Sequence, residues 1–305
     1  MIANNALLSL NKLVSITRTS TRKRAFKLWL YAHLFTGPKK RKYIYLIHIY
    51  FRWLDDFIDN PKNSPLSKKN LINRQRELLQ KIISGYVVKL NFTEENCLFY
   101  FVEFLMKKNE ICMTKYLDNL FKVFELDISR VENDGIFSES ELKEYLTLQN
   151  ESFFRIFSIF VPRPKSQKEI EGYIGLFPWH VLSLRDFEED VESGFINICR
   201  EDINKFNLDV INIMTDSNRF YWLKENYPKI LGILEKEISI MNKMPSVIKI
   251  AWGLSYIHLN WEFNRLKYYD YKFGVTLKKD LVREFKVMTS TTWLGFQIFV
   301  KVFLI

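Results

Sequence analysis

Two short stretches carry the acidic side chains whose types and spacing could do chemistry. FRWLDDFIDN (51–60) sets Asp55 and Asp59 four residues apart with Asp56 beside them, and LSLRDFEEDVESG (182–194) repeats the arrangement with Asp186, Asp190 and Glu189. On a helix each i, i+4 pair shares one face, one turn apart. Carboxylates crowded in apolar surroundings repel one another and lose hydration, so positive charge must compensate them. Mg²⁺ is a hard ion that prefers oxygen ligands and is commonly held by one or two carboxylates plus substrate phosphate. Two such walls facing each other would clamp a diphosphate and stabilise it as a leaving group. Ionisation of an allylic diphosphate leaves a carbocation, which must be kept from water in an apolar, aromatic-lined cavity. The plainer reading of either cluster alone is a solvated acidic face.

The elements that must position these acids are helices. The first cluster follows YIYLIHIY (43–50), and from Tyr43 to Asp59 the only charged residues are Arg52 and the three aspartates. A helix apolar nearly all round is buried, so its acids are expected at an interior cavity or its mouth. Pro38 suits the first turn of this helix, expected from about Pro38 to Asp59. The second cluster follows a similar apolar stretch, YIGLFPWHVLSL (173–184). Breaks are expected at TGPKK (36–40), DNPKNSP (59–65), VPRPK (161–165), NYPK (226–229), KMPS (243–246) and KFGV (272–275). Helical segments of roughly 15 to 25 residues run between them. Ser138 and Glu141 form a capping box, and Asp134-Gly135 reads as a connection between helices.

Composition agrees with an all-α class: 10 Gly and 8 Pro are few for a sandwich or a dinucleotide-binding sheet, and hairpin signals are nearly absent. With no linker and no repeat, residues 1–305 read as a single helical domain. Residues 1–19 form an N-terminal extension and 286–305 a C-terminal helix. A net charge of +10 suits anionic partners such as phosphorylated small molecules or an acidic membrane. No recognised motif supports nucleic acid, which is excluded as a partner. Cys97, Cys112 and Cys199 have neither metal spacing nor a disulfide framework, and no signal peptide is visible, so a cytoplasmic location is expected. TTWLGFQIFV (291–300) is too short to span a bilayer. It reads as a terminal helix packed on the core, with a peripheral position on a membrane surface as the alternative.

FRWLDDFIDN resembles the first aspartate motif of the squalene/phytoene synthase family, C-R-x-x-D-D-x-x-D-D, and LRDFEEDVESGFINICREDI resembles the second, L-R-D-x-x-E-D-x-x-x-G-R-x-Y-L-P. Arg185, Asp186, Glu189, Asp190 and Gly194 keep its register. FKLWLYAHLFTGPKKRKYIYLIHIYFR (26–52) is similar to the family's N-terminal stretch without a gap, and FELDISR, SELKEY and YYDYKFGVTLKKDL match later landmarks more loosely. The resemblance implies an isoprenoid synthase bundle of helices around a central cavity. It implies head-to-head joining of two prenyl diphosphates, farnesyl or geranylgeranyl, with two to three Mg²⁺ ions and release of diphosphate; NADPH use stays open. Asp55, Asp56, Asp59, Asp186, Glu189 and Asp190 would be metal ligands or their support, with Asp56, Asp186 and Tyr145 catalytic. Lys27, Arg52 and Arg185 would contact diphosphate or brace the aspartates. Asn150, Phe154 and Tyr269 would line the substrate site.

Departures from the family pattern are concentrated away from the acids. The family's small-residue V-A-G-x-V-G reads QNESFF (149–154), the usual Asn and Gln ahead of the second motif are Leu182 and Trp179, and the Tyr and Pro of Y-L-P are Asn197 and Cys199. Two alternatives to head-to-head coupling therefore stand: a terpene synthase cyclising one prenyl diphosphate on the same scaffold, and a non-catalytic assembly protein. His33, His48, His180 and His258 have no metal spacing and are given no role.

Overall fold

The gap between Thr36 and Pro38 shows how local rules lay out this chain. Thr36 caps the end of one helix, Gly37 caps the start of the next, and Pro38 opens it, its fixed φ and missing N–H suiting a first turn. In the computed structural model the described residues are 8–86, 88–160, 175–241, 253, 256, 259–260 and 263–266, without the side chains of Lys27, Tyr31 and Phe35. They form α1 (Leu10–Arg24), α2 (Phe26–Phe35), α3 (Pro38–Ile58), α4 (Pro65–Ile83), α5 (Thr93–Lys107) and α6 (Thr114–Glu132). After these come α7 (Glu139–Ser158), α8 (Leu176–Arg185), α9 (Phe187–Glu192), α10 (Arg200–Phe206) and α11 (Asn218–Met241). Beyond helices, an isolated parallel bridge pairs Ile136 with Ile196. The fold is all-α.

Two compact units divide the chain, one of Met1–Ser129 with Ser152–Val161, the other of Arg130–Glu151 with Pro162–Ile305. In the first, α3 supplies much of the core through Ile44, Leu46, Ile47, Tyr50, Phe51, Leu54 and Ile58. Removing such side chains from water stabilises the unit by about 1.5–3 kcal/mol each. A buried polar cluster sits beside them: the fully buried Glu95 accepts from Arg74 Nε at 2.9 Å and from Gln75 Nε2 at 2.9 Å, and Tyr50 donates to Gln75 at 3.2 Å. The second unit packs Phe177, Val181 and Leu184 of α8 against Leu223, Ile230, Leu234 and Met241 of α11.

The expected breaks at 36–40 and 59–65 are helix boundaries. The capping box is present, with Ser138 N donating to Glu141 Oε2 at 2.7 Å and Glu141 N donating to Ser138 Oγ at 3.3 Å. NYPK is not a break: α11 runs through Pro228. Proline costs a helix one hydrogen bond, but here Tyr227, Ile230 and Leu234 on its flanks are all buried. Tyr227 stacks on Phe263 at 4.5 Å and donates to Asn264 at 2.9 Å, so packing outweighs the lost bond. The expected segment length also fails for α8, α9 and α10, which are 10, 6 and 7 residues long. The breaks at 161–165, 243–246 and 272–275, and the C-terminal helix at 286–305, lie outside the described residues.

Candidate active site

The first acidic cluster sits on the last turn of α3, with Asp59 as its C-cap. Toward this end the helix is buried on one face only, through Phe51, Leu54 and Ile58. Asp55 and Asp56 occupy the other face, with side chains 41% and 39% exposed, so the acids are half-sunk rather than enclosed. Their compensating charge is arginine. Arg52 reaches Asp55 Oδ2 at 3.0 Å and Asp56 Oδ1 at 2.9 Å, and Arg24, from the last turn of α1, reaches Asp56 Oδ2 at 2.6 Å. Burial nevertheless holds the Asp55 carboxyl above its ordinary range, opposed by Arg52 and reinforced by the Asp56 charge. One turn before Arg52, His48 is pushed down to about 4 by burial and by the charges of Arg52 and Arg24. This end of α3 therefore sets carboxylate ligands beside two arginines, a combination suited to an anion bound through a cation.

The second cluster lies at a helix junction that its sequence pattern conceals. Asp186 ends α8 and opens α9 with φ −94° and ψ 11°, so the two acids do not share one uninterrupted helix. Aspartate is favoured at such ends because its side chain competes for local hydrogen bonds. The i, i+4 relation survives all the same, since Asp190 N donates to Asp186 O at 2.9 Å. Arg185 grips Asp186 with two bonds of 2.6 Å. Burial pushes the Asp190 carboxyl up to about 6, with the Asp186 charge adding and Arg130 and an Asn197 hydrogen bond opposing. Glu189, beside Asp190, is exposed and its charge also acts on that carboxyl.

What aims α8 at this junction is Glu237 on α11. Its Oε1 accepts from Leu176 N at 2.8 Å and Phe177 N at 3.1 Å, satisfying orphan amides at the helix start, while Tyr256 donates to Oε2. Burial pushes this fully enclosed carboxyl up to about 7, from an ordinary value of 4.5, against its hydrogen bonds. A raised folded-state value means that the fold prefers the protonated form. Stability is then greatest below 4.5 and falls as pH rises through 7, by about 3 kcal/mol. Glu237→Gln keeps an acceptor for both amides without ionising. Urea unfolding at pH 5 and pH 8 is expected to show the wild type losing about 3 kcal/mol more than the variant over that interval. Equal losses would show that Glu237 ionises as readily inside the fold as in the unfolded chain.

The other candidate residues fall as follows. Tyr145 is buried, its ring 5.3 Å from that of Phe137. Asn150 lies against Gly175, the positive-φ residue before α8, and its buried Nδ2 has no hydrogen-bond partner among the described residues. Phe154 is buried in the first unit. The side chain of Lys27 and all of Tyr269 lie outside the described residues. Arg24, Arg130, Asn197 and Glu237 escaped the sequence reading as site residues. Arg24 had a signal as the last residue of the basic TRKR run, and Asn197 as a departure inside the second motif.

The donor set fits a hard divalent cation. Asp55 and Asp190 are carboxylates short of positive charge despite the arginines around them. Among the described residues no group of three or more His, Cys, Asp or Glu gathers tightly enough to hold a metal alone. Mg²⁺ takes one or two carboxylates and completes its shell from substrate phosphate and water.

No protein-family model matches the chain, and no curated protein sequence does. Solved structures do match. A dehydrosqualene synthase in complex with ligand superposes with a TM-score of 0.68 at 14% identity, covering 94% of this chain and 98% of that one. Squalene synthase HpnC from Alicyclobacillus acidocaldarius gives 0.66 at 12% identity, covering 88% and 97%. With its helix order, its absence of strands among the described residues and these near-complete superpositions, the chain has the squalene/phytoene synthase-like, all-α isoprenoid synthase fold.

Proposed function

We propose that this protein is a Mg²⁺-dependent isoprenoid synthase, a single catalytic domain that ionises a prenyl diphosphate. The reaction assigned to it is head-to-head condensation of two C15 or C20 prenyl diphosphates to a squalene- or phytoene-like product. One observation carries the reading. On a fold similar to those synthases, two aspartate pairs end apolar helices, each braced by an adjacent arginine, and each keeps one carboxyl above its ordinary range. Bound Mg²⁺ would neutralise charge developing on the diphosphate leaving group. By the resemblance, Asp55, Asp56 and Asp59, with Asp186, Glu189 and Asp190, would be the residues to hold it. Arg52 and Arg185 keep those carboxylates oriented, and Arg24 adds a second brace on Asp56.

A terpene synthase acting on one prenyl diphosphate is the second reading. It is favoured by the α7 segment, where the resembled family has small residues and this chain carries the buried Phe154 and the Asn150 amide, which has no partner among the described residues. The test is direct. Purified protein with Mg²⁺ and farnesyl or geranylgeranyl diphosphate, offered separately, is expected to release diphosphate. A product with twice the substrate's carbon skeleton means coupling, and an equal one means cyclisation or elimination. No release from any C10 to C20 substrate would leave only the non-catalytic reading.

A further inference from the structure

The side chain at 197 stands where the resembled family has the tyrosine of its second motif, and the structure gives it a connection of its own. Asn197 Nδ2 donates to Asp190 Oδ2 at 2.6 Å, and Asn197 Oδ1 accepts from Arg130 Nη2 at 2.8 Å. Arginine can only donate, so the amide can face these two partners in one orientation only. Arg130 itself is rigidly held. It is 5% exposed, its Nε donates to Gly135 O at 2.8 Å, and its guanidinium lies 4.5 Å from the Phe137 ring and 5.4 Å from that of Phe195. A buried arginine this near a carboxylate would ordinarily pair with it directly. Here a neutral amide stands between them.

We infer that Asn197 is a positioning residue for the metal site: it relays the orientation of the fixed Arg130 to Asp190 while keeping the guanidinium off the carboxylate, so that Asp190 stays aimed and remains free to ligate Mg²⁺. The bond engages Oδ2, so Oδ1 would be the oxygen left for a cation. A direct Arg130–Asp190 pair would take that carboxylate out of metal binding. An alcohol or a methyl group at 197 cannot span both partners, and an aspartate there could not donate to Asp190. The inference rests on the proposed function, in which Asp190 is a metal ligand.

The test is a calorimetric Mg²⁺ titration of the full chain with inorganic diphosphate present, at a temperature where circular dichroism shows every variant folded. Asn197→Ala and Asn197→Ser are expected to weaken Mg²⁺ binding about tenfold or more, the usual effect of losing a group that orients a ligand. Adding Asn197→Ala to Asp190→Asn is expected to weaken binding no further, because the amide acts through that carboxylate. Wild-type affinity in both Asn197 variants would overturn the inference and leave the proposed function standing. An equal loss in the Asp190→Asn background would also overturn it, since the residue would then act through the fold. No Mg²⁺ uptake by the wild type would remove the proposed function and this inference together.

Discussion

Asp56→Asn and Asp186→Asn are each expected to cut diphosphate release by on the order of a thousandfold or more, while the protein unfolds at nearly the wild-type temperature. The two effects separate because of where the charges sit. Asp56 is about two-fifths exposed and bonded to Arg24 and Arg52, and Asp186 is paired with the exposed Arg185. Ion pairs of that kind contribute about 0–1 kcal/mol to stability. Asparagine retains an oxygen that either arginine can reach, so packing is preserved. What disappears is the negative charge that a hard cation requires. Release of diphosphate is followed with farnesyl diphosphate and Mg²⁺, and unfolding by circular dichroism. Unchanged turnover in both variants would remove the carboxylate assignment, whatever the fold.

The largest stability effect is expected at Gly135. Gly135→Ala should lower stability by about 3 kcal/mol, a fall in unfolding midpoint on the order of 5–10 °C. Gly135 has φ +77°, and a Cβ placed there would run into the carbonyl of Gly194, itself at φ +90°. Both obstacles are backbone, so no side-chain rotation relieves them. The crossing is also well bonded: Gly135 N donates to Arg130 O at 2.8 Å, and its carbonyl accepts from Ile196 N at 2.9 Å and Arg130 Nε at 2.8 Å. Hydrogen exchange at the Ile196 amide should therefore quicken in the variant more than exchange in α3. A midpoint within about 1 °C of wild type would show that the two chains can part at little cost.

This crossing marks the border of what could be read without coordinates. Asp134-Gly135 is legible as a helix connection, and Gly194 as part of the second motif, but nothing local says that the two glycines meet. The role of Arg200 in REDI is similar. It clamps Asp134 through two bonds of 3.0 Å, from 66 residues away. The Asp186 junction was hidden for a different reason: an aspartate serves a helix interior or a helix end, and the i, i+4 spacing survives both.

The sequence by itself determined the helical class, the span of the helix bearing the first cluster, the capping box and the spacing within each acid pair. These follow from periodicity, proline geometry and end-capping, which act over one or two turns. Only the tertiary structure decided what compensates the acids. Arg24 meets Asp56 across 32 residues, Arg130 meets Asn197 across 67, and Glu237 caps α8 across 61. It also carried α11 through Pro228, because burial on both sides of the proline outweighed one missing hydrogen bond. Short-range geometry chooses the elements, whereas charge pairing and burial depend on which distant side chains the packing brings within about 3 Å.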